Sequence, residues 1–265
     1  MRKLAILLAG AAAALAATAA SAHTFFLVPD SSHAQGTSGF VIRATVGSTF
    51  PTPEAVVPAD RAERTWILGA GNPQLHVQGA DEKSLLLHVA NPQPGLLVTA
   101  VKSKPRDVEY AEDRIPLILE EYRFAPAAAA AVERLPKPRT WKVSSRRFAK
   151  TLVCVQQCAG NVGEQPLDGT LEFVSRGAGL EHFQLIANGR PLADYPVDLV
   201  ASDGKAQHIR SDGQGMVHVP ATATGPLMLF AAVLTPPTGV ERFTLDLSSI
   251  TFERPARTGV RPERG

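Results

Sequence analysis

The chain has 265 residues, with 27 Lys+Arg against 25 Asp+Glu and a formal net charge of +2. So even a balance gives no support to a nucleic-acid partner. The length is enough to bury a full core and suits two domains of roughly 100 residues each.

Residues 1–22 carry a positive start, Met1-Arg2-Lys3, an apolar run from Leu4 to Ala17, and the small-residue site Ala20-Ser21-Ala22. This reads as a cleaved secretory signal rather than a membrane span: the run is short and no stop-transfer charges follow it. No second apolar stretch approaches spanning length, and no cysteine sits at the cleavage site to make a lipoprotein. Cleavage leaves 265 − 22 = 243 residues. Losing Arg2 and Lys3 takes 27 basic residues to 25, so the mature chain is formally neutral. The expected location is the periplasm.

The mature chain starts with His23, followed by the strand candidate Phe25 to Val28. A loop over Ser31 to Gly39 holds His33, and Phe40 to Gly47 reads as a second strand. Short Val/Leu/Phe/Thr-rich runs continue at Arg64 to Leu68, Gln74 to Gln78, Ser84 to Val89 and Gly95 to Lys102. Such runs between Pro, Gly, Asn and Asp turns predict an antiparallel sandwich. The pattern then turns helical: Asp113 is a candidate cap, Pro116 suits a first turn, and Ile115, Leu119 and Tyr122 share a face. Pro126 opens an alanine-rich second piece that ends at Pro136-Lys137-Pro138. Phe148 to Gln156 reads as a strand returning to the sandwich. Residues 160–168 are the expected linker.

Beyond it, Leu171 to Val174, His182 to Ala187, Val197 to Val200, Leu227 to Leu234 and Leu245 to Phe252 are strand candidates. Asn188-Gly189 marks a turn, and Ala206 to Ser211 with Met216 to Val219 is predicted to form a hairpin about Asp212 to Gly215. The expected fold is therefore mainly β: two antiparallel β-sandwich domains with a small helical insertion. One spans residues 23–160 with its insertion at about 106–135. The other spans 169–253, and the arginine-rich residues 254–265 form a disordered tail.

Few side chains carry recognisable chemistry. At a mature N-terminus, the α-amine and imidazole of His23 together close a chelate ring on a late transition metal; the plainer alternative is that His23 is what the protease leaves. His33, His76, His88, His182, His208 and His218 form no H-x-H or H-E-x-x-H cluster, which argues against a structural zinc site. Cys154 and Cys158 are the two cysteines. In an oxidising compartment a local disulfide is the plainer reading of C-x-x-x-C, with copper binding as the alternative. Arg146 and Arg147 suit either steering of an anionic ligand or protection of a sheet edge. No G-x-S-x-G, Walker loop or G-x-G-x-x-G follows a strand, so no enzyme is expected.

Two resemblances add to this. Asn188-Gly189-Arg190-Pro191-Leu192 with Val197-Asp198-Leu199, and the Asp212 to Gly215 turn, resemble transthyretin-like, carboxypeptidase-regulatory-like sandwiches. Across nearly the whole mature chain, three stretches resemble the periplasmic family called domain of unknown function 4198. They are Ala22-His23-Thr24-Phe25-Phe26-Leu27-Val28-Pro29, Val46-Gly47-Ser48-Thr49-Phe50-Pro51 and Arg147-Phe148-Ala149-Lys150-Thr151-Leu152. Some members are described as nickel or cobalt uptake components. The resemblance therefore implies a nickel, cobalt or copper ion held at His23, and a metal transport system or another envelope protein as partner. The chain departs from the pattern at Ser48 or Thr49, and at Ala232-Val233-Leu234, where members often have histidine. The competing expectation is a non-catalytic envelope binding module without metal.

Overall fold

The computed structural model describes residues 23–177, 179–238 and 242–255. The expected leader and residues 256–265 of the expected tail lie outside them. In chain order the first strands are β1 (Thr24–Pro29), β2 (His33–Ala34), β3 (Phe40–Gly47) and β4 (Ala55–Val56). A 3₁₀ turn (Ala59–Arg61) leads to β5 (Ala62–Leu68), β6 (Gln74–Ala80), β7 (Leu85–Ala90), β8 (Gly95–Ser103) and β9 (Arg106–Ala111). Helices α1 (Ile115–Tyr122) and α2 (Pro126–Glu133) precede the long β10 (Thr140–Val155). The rest is β11 (Leu171–Ser175), β12 (His182–Ala187), β13 (Arg190–Pro191), β14 (Pro196–Ala201), β15 (Ala206–Arg210), β16 (Met216–His218), β17 (Gly225–Thr235) and β18 (Phe243–Arg254).

Among the described residues the strands form three sheets. The largest has nine strands and runs β15-β14-β17-β18-β10-β8-β5, with β2 and β9 also pairing with β10. A five-stranded sheet orders β1-β3-β7-β6 with β4 on β3, and a four-stranded sheet orders β11-β12-β13 with β16 on β12. The fold is mainly β and sandwich-like. It is mixed rather than purely antiparallel, because β10 pairs in parallel with β18 from Val143↔Phe243 to Thr151↔Thr251. The segments expected as two sandwiches thus share one sheet.

Both faces of that sheet are covered, which explains its near-continuous apolar strands. On one face, Leu227, Leu229, Ile250 and Phe252 pack with Phe173, Phe183 and Leu185 of the four-stranded sheet. On the other, Leu97, Val101, Ala149 and Val153 meet Phe25, Leu27, Ile42 and Leu87 of the five-stranded sheet. Further along the same face, Trp141, Phe230, Phe243 and Leu245 are covered by Ile115, Ile118, Tyr122, Ala128 and Val132 of the helices. The alternation of successive side chains along a strand sorts β17 in this way: Leu227, Leu229 and Ala231 go one way, Met228, Phe230 and Ala232 the other.

Local readings need five corrections. The insertion expected from about residue 106 opens with strand β9, paired with β10, and turns helical only at Ile115. Asp113 caps nothing: the residue before α1 is Arg114, with no side-chain cap bond; Ile118 joins Ile115 and Tyr122 in the buried face, and Leu119 packs partly buried against the same core. The returning strand begins at Thr140, because β10 runs on through Trp141 to pair with β9. Ala206 to Ser211 and Met216 to Val219 are not a hairpin. β15 pairs with β14 in the large sheet while β16 pairs with β12 in the small one, so the Asp212 turn is a corner between layers. Finally, Arg254 belongs to β18 rather than the tail; its guanidinium donates to the Pro220 carbonyl and to Glu181.

Candidate functional site

His23 sits at the entrance to β1 and is largely exposed, its side chain 55% accessible. Its Nε2 lies 3.5 Å from Glu54 Oε2. The Ser48 hydroxyl donates to Glu54 at 2.6 Å and holds that carboxyl below its ordinary range, so it is a carboxylate at neutral pH. No second imidazole or sulfur joins this pair in a three-ligand cluster among the described residues. Cys154 and Cys158 are joined in a disulfide, with Cα atoms 4.6 Å apart. Gln156 takes a left-handed φ of 58° that folds Cys158 back onto the end of β10. Of the scattered histidines, two pairs lie directly opposite in register: His76 and His88 on β6 and β7, and His182 and His218 on β12 and β16, the latter with Nδ1 atoms 3.0 Å apart.

A large concavity lies elsewhere, on the face of the big sheet between the five-stranded sheet and helix α1. Its inner lobe, about 500 Å³, is walled by Phe25, Val57, Val108, Leu245 and Leu247, with Arg61, Arg106, Arg147, Tyr110, Tyr122, Ser103 and Ser145 as polar lining. An outer lobe of about 440 Å³ shares Arg106, Tyr110, Tyr122 and Arg147 and extends past Arg114, Glu121 and His23. His23 thus stands at the mouth of the cleft.

Arg147 is the unusual residue. It follows Arg146 on β10, and alternation sends the two guanidiniums to opposite faces of the sheet. Arg146 meets its register partner Asp246 in a bidentate pair, Nε to Oδ1 at 2.6 Å and Nη2 to Oδ2 at 2.7 Å. The register partner of Arg147 is Leu247, which brings no charge. Among the described residues the Arg147 guanidinium has no hydrogen bond or ion pair, and no carboxylate lines the inner lobe. Burial pushes its pKa down; neighbouring Tyr122 and Tyr110 offset this in part, while Arg106 adds to it. A guanidinium nonetheless stays charged at physiological pH. Burial also raises both tyrosines, foremost by desolvation, so they face the cleft as neutral phenols able to donate.

Arg61 is already engaged, donating to the Lys104 and Pro105 carbonyls at 2.9 and 3.0 Å. That leaves Arg147 inside, with Arg106 at the exposed rim. The edge-protection reading of Arg147 no longer holds, because β10 lies between β18 and β8 and is not an edge strand. Its neighbour Tyr110 escaped the sequence reading, and Tyr122 entered it only as part of a helix face; the adjacency of the two arginines was what hinted at the site.

No helix among the described residues is long and apolar enough to cross a membrane. No curated protein matches the chain. The family model described as "Domain of unknown function (DUF4198)" matches residues 20–235. That span takes in β1 with His23, both helices, all of β10 and the strands up to β17, so the chain belongs to the DUF4198 family.

Proposed function

We propose that this protein is a non-enzymatic binding module of the cell envelope that holds a small organic anion, a carboxylate on an apolar body, in the cleft facing Arg147. The observation that carries this is a half-buried guanidinium, without a hydrogen-bond or ion-pair partner among the described residues, in a cleft with apolar walls. A charge partly removed from water without a partner is unfavourable, and a ligand carboxylate is a group that relieves it. Neutral Tyr110 and Tyr122 add donors at the same anion, and Phe25, Val108, Leu245 and Leu247 suit the apolar body. The leader-like first 22 residues support an envelope location.

A thermal-shift panel tests the reading. Small aryl and alkyl carboxylates should raise the melting temperature, and the corresponding alcohols and amides should not. Equal shifts from charged and uncharged members would contradict it.

A second reading is favoured by one contact, that of His23 with ionised Glu54. An imidazole, a carboxylate and a free α-amine together suit Ni(II), Co(II) or Cu(II), as for an accessory that delivers metal to a transport system. Titration of the mature protein and its His23→Ala variant with Ni(II) and Cu(II) decides it: equal affinity removes His23 as a ligand.

A further inference from the structure

The disulfide at the end of β10 has a neighbour that the sequence does not place there. Strand β2 pairs in parallel with β10, and the register sets His33 opposite Cys154 and Ala34 opposite Val155. Backbone bonds fix this junction: Cys154 N–H donates to the Ser32 carbonyl at 2.8 Å, and Gln156 N–H to the Ala34 carbonyl at 2.7 Å. One imidazole nitrogen of His33 and the two sulfurs all lie within 4.8 Å of one another. Nε2 of His33 is buried and has no hydrogen-bond partner.

A buried imidazole nitrogen normally has a partner, and here two sulfurs stand within 4.8 Å of one ring nitrogen. While they are bonded to each other they are poor ligands. Reduction by a dithiol changes this: two electrons and two protons pass to the protein, the S–S bond becomes two thiols, and the dithiol leaves as its own disulfide. A metal then displaces the thiol protons and meets two thiolates and a neutral imidazole. That soft donor set, in a site where Cys154 is only 3% accessible, selects a d¹⁰ cation, Cu(I) foremost.

We propose that His33, Cys154 and Cys158 form a thiol-gated Cu(I) site, closed while the disulfide stands and open after dithiol reduction, with His33 as the third ligand. It is independent of the Arg147 cleft and of His23. The site lies on β2 and the far end of β10, joined by backbone bonds that do not involve the sulfurs.

The test uses the whole mature protein, oxidised and dithiol-reduced, titrated anaerobically with Cu(I) against a chromophoric competitor. The reduced form should take one Cu(I) per chain, and the oxidised form should bind roughly 100-fold more weakly or less. His33→Ala should weaken the reduced form by at least about tenfold, the scale seen even when an outer partner of a metal ligand is lost. A Co(II) spectrum of the reduced protein should show sulfur-to-metal charge transfer and a d–d pattern that changes in His33→Ala. Circular dichroism on the reduced protein checks that the strands persist. Equal Cu(I) affinity in both redox states, an affinity or Co(II) spectrum unaffected by His33→Ala, or loss of the fold on reduction would each overturn the proposal.

Discussion

Two adjacent arginines on one strand meet opposite fates because their register partners differ. Arg146 faces Asp246, whose side-chain bonds, the first cause of its upward shift, hold the pair together; Arg147 faces Leu247. If Arg147 is kept for a ligand, then removing it should relieve the empty protein. Arg147→Met is expected to stabilise the unliganded fold by about 1 kcal/mol in urea unfolding. A comparable loss would mean that the guanidinium has a structural partner. Lys150 on the same strand is the contrasting case. Its side chain is 1% accessible, donates to Glu172 at 2.8 Å and to the Phe173 carbonyl at 2.9 Å, and Glu172 also accepts the N–H groups of Leu167, Asp168 and Gly169. Lys150→Met leaves Glu172 without its cation and should cost about 3–5 kcal/mol.

Asp168 gives the pH dependence. Burial alone would raise its pKa, but bonds from Lys102 and Thr170 outweigh burial and leave it lowered. A carboxyl lower in the folded than in the unfolded state adds stability above its unfolded value, near 3.9, and that stability is lost as pH falls through the folded value. The urea midpoint should therefore hold steady between about pH 5 and 7 and drop below about pH 4, with a shallower drop in Asp168→Asn. None of these partners was legible in the sequence. His23 and the cysteine pair stood out because their chemistry is local, whereas the isolation of Arg147 depends on which residue of a distant strand lies opposite.

At the scale of elements, the sequence spoke clearly wherever a turn dictates its own geometry. Asn188-Gly189 joins β12 to β13 with φ of 50° and 73°, the two positive values that a tight two-residue hairpin needs. The Asp212 to Gly215 turn was equally legible as a turn but not as a change of sheet. Asp212 Oδ1 accepts the N–H groups of Gln214 and Met216 at 2.8 Å, as it would in a hairpin. The corner is set from outside: the Ser211 hydroxyl donates to the Leu192 carbonyl at 2.6 Å and accepts the Tyr195 N–H at 2.9 Å, tying β15 to the approach of β14. Gly215 closes it with a φ of 74°, and a Cβ there would stand 2.9 Å from the Leu185 carbonyl oxygen. Gly215→Ala should accordingly destabilise by more than about 1 kcal/mol by thermal or urea unfolding. An unchanged midpoint would mean that the corner adapts.

For the whole molecule, the consequence of the parallel β10–β18 pairing is cooperativity. Alternating apolar runs and turn spacing foretold sandwich layers, because those signals are local. That one nine-stranded sheet runs through both halves was not foretold, since strand pairing across the chain leaves no periodic trace. With β10 shared by all three cores, the chain should unfold in a single calorimetric transition. Two resolved transitions would mean that the halves are independent.

The cleft lies where the five-stranded sheet, α1 and the shared sheet meet, so its geometry rests on the assembled fold rather than on any one loop. Calorimetric titration of the mature protein with the best carboxylate from the thermal-shift panel tests the central claim most directly, set beside the same titration of Arg147→Met. A charge-assisted contact of about 1.5–3 kcal/mol predicts a roughly 10- to 150-fold loss of affinity in a variant that remains fully folded. Unchanged affinity in the folded variant would contradict the account.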